Sequence, residues 1–267
     1  MIRYASFKNI KVRYSDKGHG RAVVLLHGFL ESHEIWDEFS DKLSKSFRVI
    51  AIDLPGFGDT PCIGYVHSME LMAQCVKAVM DNIGYRRYVV VGHSMGGYVG
   101  LAFADLFADN VSGLCLFHST SLPDTAEKKQ SRNAVIKIVK ENPRHYINAF
   151  YESLFAPANA DEHKKEIQFL RTLSEKFTRQ GIVNALEGMK ERKKRDWILE
   201  FAKYPVLFIA GKKDNVIPYK SVLQQAQLVK HPTVLLLEDV GHMGFYEAKE
   251  ETLKVVKRFA GKCFRNE

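Results

Sequence analysis

Six short, unbroken apolar runs constrain this chain more than any other feature. They are Ala22-Val23-Val24-Leu25-Leu26, Val49-Ile50-Ala51-Ile52, Tyr88-Val89-Val90-Val91, Gly113-Leu114-Cys115-Leu116-Phe117, Val206-Leu207-Phe208-Ile209-Ala210 and Val234-Leu235-Leu236-Leu237. None alternates with polar residues, so each predicts a strand covered on both faces, as in a parallel sheet. Helix-like segments at 35–45, 68–83, 96–108, 219–229 and 247–260 separate most of them. In 68–83, Leu71, Met72, Cys75, Val76, Val79 and Met80 recur at three- and four-residue steps, which is one face of a helix. Strand–helix alternation of this kind implies right-handed crossovers, hence an α/β fold with a doubly wound, mostly parallel sheet. Upstream, Phe7, Ile10, Val12 and Tyr14 alternate weakly around Lys8-Asn9 and predict one or two antiparallel edge strands.

The alternation breaks once. From 122 to 203 there is no strand-like run, only amphipathic segments punctuated by Pro143, Pro157, Gly181 and Gly188. Some 80 residues are too many for a simple connection. The prediction is a helical cap over residues 122–203, inserted into a core made of 1–121 and 204–267.

At 46% hydrophobic and 26% charged, the composition is that of an ordinary globular chain. The net charge of +8 raises the question of nucleic acid, but the basic residues are scattered among nearly as many acids. The densest run, Lys190-Glu191-Arg192-Lys193-Lys194-Arg195, reads as a solvated helix face, so no nucleic-acid partner is expected. Cys62, Cys75, Cys115 and Cys263 are widely spaced, and Cys75 and Cys115 sit among apolar residues as small core groups. The N-terminal stretch lacks the apolar segment of a signal peptide, and no segment is apolar enough for membrane insertion. A reduced, cytoplasmic protein is the expectation.

Ligands of an open parallel sheet bind beyond the carboxyl ends of its strands. The residues standing there are His27-Gly28-Phe29, Asp53, Ser94, His118, Asp214 and His242: a hydroxyl, two acids and several histidines on one edge. Gly92-His93-Ser94-Met95-Gly96 fits G-x-S-x-G between a strand and a helix, the context that the motif demands. A serine on so sharp a turn holds strained backbone, costing about 1–3 kcal/mol. The residues two before and two after it are crowded together, hence glycine. The bland alternative is a tight turn whose serine only caps the following helix.

Taken together, these motifs resemble the α/β-hydrolase fold with a serine nucleophile, over nearly the whole chain. They are His27-Gly28-Phe29, Asp53-Leu54-Pro55-Gly56-Phe57-Gly58, the turn at Ser94, Gly211-Lys212-Lys213-Asp214 and Gly241-His242. The chain order Ser94, Asp214, His242 is that family's order. The resemblance implies that Ser94 attacks, that His242 is its base, worth ~10²- to 10⁴-fold, and that a carboxylate orients the imidazole. Asp214 is the favoured acid. Asp124 is second, because it follows the strand ending near His118, and Asp239 lies too near His242 in sequence to reach round to it. The resemblance also implies an oxyanion hole from the backbone N–H groups of Phe29 and Met95, each worth about 3 kcal/mol.

His27 and His93 flank these positions and are expected to orient loops. His118 is either a buried structural histidine or a substrate contact, and Gly28 is a second possible contact. Asp53 is expected to fix its own turn. No H-E-x-x-H, Walker or Rossmann fingerprint occurs, and Gly56-Phe57-Gly58 lacks the third glycine, so no metal or other cofactor is expected. The leading expectation is a cofactor-independent serine hydrolase acting on a small-molecule carboxylic ester or thioester. Two alternatives use the same triad: a carbon–carbon bond hydrolase, and a lyase like that of the menaquinone pathway, whose opening resembles His27-Gly28-Phe29-Leu30. The lyase would need pocket cations such as Arg132, Arg144 or Arg171. An alternative of another class is a non-catalytic, ligand- or protein-binding member of the fold. Oligomeric state is not encoded legibly.

Overall fold

Strands form where the apolar runs lie. The computed structural model describes residues Ile2 to Arg265, in which eight strands make one sheet of order β1-β2-β4-β3-β5-β6-β7-β8. β1 (Ile2–Phe7) and β2 (Ile10–Lys17) form the antiparallel hairpin, turned by Lys8 at φ 49°, and β2 pairs antiparallel with β4. β3 (Ala22–Leu26), β4 (Arg48–Ile52), β5 (Tyr88–His93), β6 (Val111–Phe117), β7 (Val206–Gly211) and β8 (Thr233–Leu237) run parallel. Every residue of β3, β5, β6 and β7 is buried. β8 departs from the expectation of two covered faces. As the last strand it leaves Val234 exposed and three others half-buried.

Helices α1 (Asp37–Leu43), α2 (Met69–Ile83) and α3 (Met95–Leu106) connect the first parallel strands. α2 begins where Ser68 Oγ accepts from Leu71 N–H and ends at Gly84, whose φ of 83° suits a residue without Cβ. The order reverses between β3, which leads on to β4, and β5, which leads the other way. That switch point is where an open α/β sheet leaves a crevice. After β6 the chain makes only helices: α4 (Ala126–Glu141), α5 (Pro143–Phe150), α6 (Lys164–Ser174), α7 (Arg179–Lys190) and α8 (Asp196–Glu200). α9 (Tyr219–Ala226), α10 (Gly244–Glu247) and α11 (Lys249–Arg265) complete the core.

The insert's two stems are fastened side by side. Arg195 N–H donates to Ser121 O at 2.9 Å, and the Arg195 guanidinium reaches Glu70 of α2 at 2.6 Å and Asp105 of α3 at 3.2 Å. Arg192 binds Asp124 at 2.6 Å and the Leu122 carbonyl at 3.0 Å. The reading of Lys190–Arg195 as a solvated helix face is therefore corrected. α7 ends at Lys190, and Arg192 and Arg195 are buried on carboxylates of the stem and core, while Lys193 and Lys194 stay exposed. No helix among the described residues is long and apolar enough to cross a membrane.

Candidate active site

The turn between β5 and α3 has no room for side chains at its glycines. A Cβ on Gly92 would lie 2.3 Å from the Gly96 carbonyl oxygen, and one on Gly96 would lie 2.3 Å from that of Leu26. Ser94 sits between them at φ 49° and ψ −114°, in the left-handed half of backbone space that costs a side-chain-bearing residue about 1–3 kcal/mol. The conformation is held by Ser94 N–H donating to Phe117 O at 2.9 Å and Ser119 Oγ donating to Ser94 O at 2.8 Å. Ser94 makes no side-chain bond to the helix that follows. The bland reading of the serine as a helix cap is thus corrected.

β7 delivers the acid and the loop after β8 delivers a histidine. The two loops are knitted by Lys213 N–H donating to Val240 O at 3.0 Å, across a Gly211 whose Cβ would meet the same oxygen at 2.2 Å. Asp214 Oδ1 accepts from the N–H groups of Val216 and Ile217 at 2.8 and 2.9 Å. Its Oδ2 accepts from His242 Nδ1 at 2.8 Å and from His118 Nδ1 at 3.1 Å. Burial opposes ionisation of Asp214, but the two imidazoles hold its carboxyl far below the usual carboxylate range. Burial also pushes His118 down to about 4, so at neutral pH it is an uncharged donor. Ligand atoms of His118, Asp214 and His242 lie within 4.8 Å of one another. Both imidazoles turn Nδ1 to one shared carboxylate oxygen, the arrangement of a hydrogen-bonded cluster.

Two further groups tie the loops together, and sequence reasoning missed one of them. Glu31 Oε2 accepts from Gly28 N–H at 2.5 Å and from His93 Nδ1 at 3.0 Å, while His93 Nε2 donates to the His242 carbonyl at 3.0 Å. Burial disfavours charge on His93, but the adjacent Glu31 carboxylate wins and raises it; reciprocally Glu31 is held low despite its burial. The pair is a buried ion pair joining the loop after β3, the Ser94 turn and the backbone of His242. The only sequence signal for Glu31 was an acid in an otherwise apolar Gly-Phe-Leu loop. His27 takes Leu54 N–H on Nε2 at 2.9 Å and faces the Gly28 carbonyl with Nδ1, so it joins two loops. Asp53 accepts from His33 N–H at 2.8 Å and Asp59 N–H at 3.1 Å, closing its own turn.

Above these residues, between core and insert, lies a small cavity of about 70 Å³, lined by Phe29, Glu31, His93, Ser94, Tyr98 and His242 from the core and by Arg132, Tyr146, Phe150, Leu154 and Met189 from the insert, with Val216 at the side. Among the described residues, the N–H groups of Phe29 and Met95 donate to no protein acceptor. The two residues named as possible substrate contacts stand off the cavity wall. His118 is fully buried behind Asp214 and does not line the cavity. Gly28 gives its N–H to Glu31, and a Cβ there would lie 2.8 Å from His93 Nδ1, so it is small to admit those two side chains. The Asp124 carboxylate is taken by Arg132 at 2.5 Å and Arg192 at 2.6 Å, whereas His242 Nδ1 is on Asp214. Arg144 is exposed on α5, and Arg171 binds Glu152 at 2.6 Å.

The alpha/beta hydrolase fold family matches residues 21–249 of the chain. The chain belongs to this family. Among related α/β-hydrolases, the AB hydrolase superfamily protein YisY of Bacillus subtilis is 24% identical over 264 residues, covering 95% of this chain and 96% of its own length. The 2-hydroxy-6-oxo-6-(2'-aminophenyl)hexa-2,4-dienoic acid hydrolase of Metapseudomonas resinovorans is 26% identical over 261 residues, covering 93% of this chain and 87% of its own. A malate-bound thermophilic esterase from Thermogutta terrifontis superposes with a TM-score of 0.92 at 27% identity, covering 98% of this chain and 99% of its own. The fold class read from the apolar runs is the one observed.

Proposed function

We propose that this α/β-hydrolase is a serine hydrolase that cleaves a small or medium carboxylic ester or thioester through an acyl-enzyme. The observation that carries the reading is the His242–Asp214 contact of 2.8 Å beside a cavity that also holds the strained Ser94. On this reading His242 removes the Ser94 proton as the hydroxyl oxygen attacks the carbonyl. Asp214 fixes the tautomer that leaves Nε2 free to accept and stabilises the imidazolium that forms. The uncommitted N–H groups of Phe29 and Met95 hold the oxyanion. His242 then protonates the departing alkoxide or thiolate, and later activates the water that releases the acid. Residues 1–121 and 204–267 act as the catalytic core, and residues 122–203 act as the cap that closes the cavity.

A fluorophosphonate probe tests the reading. Wild type should label and Ser94→Ala should not, and only wild type should turn over a p-nitrophenyl ester panel. Equal labelling of the two would overturn it, and so would wild type that labels without turning over any ester, which would instead favour a binding member of the fold. The relative named for a hexa-2,4-dienoic acid substrate favours a second reading, carbon–carbon bond hydrolysis by the same residues. Cleavage of a vinylogous 1,5-diketone faster than of any ester would select it.

A further inference from the structure

The inward face of α4 changes character along its length. Towards its C-terminal end it buries Ile136 and Val139, but one and two turns earlier the sheltered positions are Lys128 and Arg132. Long cations on the inward side of a helix leave water only where something there offsets their charge. The protein supplies one carboxylate. Asp124, with a fully buried side chain, is shared between Arg132 and Arg192.

Arg192 is buried and does not line the cavity. It binds Asp124, the Leu122 and Met189 carbonyls, and it stacks 4.2 Å over the Tyr98 ring. Arg132 uses Nε and Nη2 on Asp124, and its Nη1 donates to no protein group among the described residues, although the side chain forms part of the cavity wall. Lys128 Nζ donates to the carbonyl of Val216, another wall residue, at 3.1 Å, and has no carboxylate partner among the described residues. The other charges on the wall cancel, because Glu31 is paired with His93. Three cations stand against one anion on this side, and Arg132, which alone of the three lines the cavity, keeps the N–H groups of Nη1 spare beside it.

We propose that the cavity selects an acyl substrate bearing a carboxylate, which Arg132 binds through its uncommitted N–H groups while Lys128 adds charge at the rim. The proposal rests on the hydrolase reading above for the scissile bond but not for the anion. The carboxylate could belong to the acyl half or to the leaving half of the substrate, and paired substrates separate these. Mono-p-nitrophenyl glutarate is compared with p-nitrophenyl pentanoate, and 4-carboxyphenyl butyrate with 4-methylphenyl butyrate. Wild type should favour the anionic member of one pair by ~10- to 100-fold in kcat/KM, the worth of a charge-assisted hydrogen bond, mainly through KM. Arg132→Gln should bring the anionic-to-neutral ratio of kcat/KM down to about 1, Arg132→Lys should restore part of the preference, and Lys128→Gln, which leaves Asp124 untouched, should lower it by a smaller factor. Preference for the neutral member of both pairs in wild type would overturn the proposal, as would an Arg132→Gln variant that slows both members alike.

An arm without turnover keeps the two readings apart. Glutarate and 4-hydroxybenzoate are added to the Ser94→Ala protein and its melting temperature is followed. At least one should raise it, and the rise should vanish with Arg132→Gln and shrink in about 0.5 M NaCl, where the Debye length is only a few ångströms. If neither acid stabilises the protein the carboxylate subsite is wrong, whatever the esters do. If an acid stabilises it through Arg132 but no ester is cleaved, the subsite stands and the hydrolase reading falls.

Discussion

His118 donates from Nδ1 to Asp214 Oδ2 at 3.1 Å, the same oxygen that His242 contacts at 2.8 Å. The opposite nitrogen of His118, Nε2, is buried without a partner, and Gly244 packs so close that a Cβ there would lie 2.4 Å from it. A neutral imidazole that spends one nitrogen on the acid and leaves the other dry is a positioning residue. It takes electron density from the carboxylate that His242 leans on. His118→Leu should lower kcat by about 10-fold with KM little changed, the signature of an interaction felt in the transition state. Because the carboxylate loses a donor and becomes more basic, the acid limb of the kcat/KM profile should move to higher pH. His118→Asn, which keeps an N–H donor, should recover part of both; a structural histidine would lower stability without moving the profile.

The two acids separate cleanly by what surrounds them. Asp214→Asn keeps the shape but presents the wrong hydrogen-bonding group to His242, and kcat should fall by on the order of 10⁴. Asp124→Asn leaves Arg132 and Arg192 facing each other without their shared anion. Breaking a buried pair of this kind costs about 3–5 kcal/mol, so that variant should melt earlier yet retain most of its kcat on a neutral ester. The opposite pattern, a larger kcat loss in the Asp124 variant, would reverse the assignment of the triad acid.

Acid should destabilise the protein before its carboxylates titrate. His67 and His118 are both buried, and burial lowers each to about 4 from an ordinary 6.5. Between those values the unfolded chain takes up a proton at each site and the native protein does not. Stability therefore falls as pH drops from 6.5 towards 4, by up to ~1.4 kcal/mol per pH unit per histidine. His93 works in the other direction, since its pairing with Glu31 favours the charged form in the folded state. Urea melts at several pH values should show a positive net slope in this window, and His67→Gln should flatten it. A slope unchanged in that variant would mean that His67 is not the proton-linked group.

Much of the core was legible because burial on both faces writes itself as an unbroken apolar run. All six runs became strands, and the hairpin at Lys8 followed from a weak alternation. β8 misled in one respect only: the sequence of an edge strand can be as apolar as that of a central one, and what differs is a missing neighbour. Around the candidate site, Ser94, Asp214 and His242 were visible because the ends of parallel strands are few. Glu31 was not visible, since its meaning lies in His93, 62 residues away, and in the burial they share. Arg192 and Arg195 were misread for the same reason. A basic run looks solvated until the acids it docks against, Asp124, Glu70 and Asp105, are brought beside it by the return of the chain.

Fastening the insert to the core at its stems and again beyond α5 makes it a span resting on two piers. Arg192 and Arg195 hold the root, and at the other support the Leu154 carbonyl accepts His242 N–H at 2.6 Å while the Tyr151 hydroxyl donates to Leu30 O. The second pier therefore stands on the backbone of the candidate base itself. A guest that pushed Phe150 and Leu154 outward would strain the loop that carries His242, so the fit of the apolar wall and the aim of the imidazole are tied to one another.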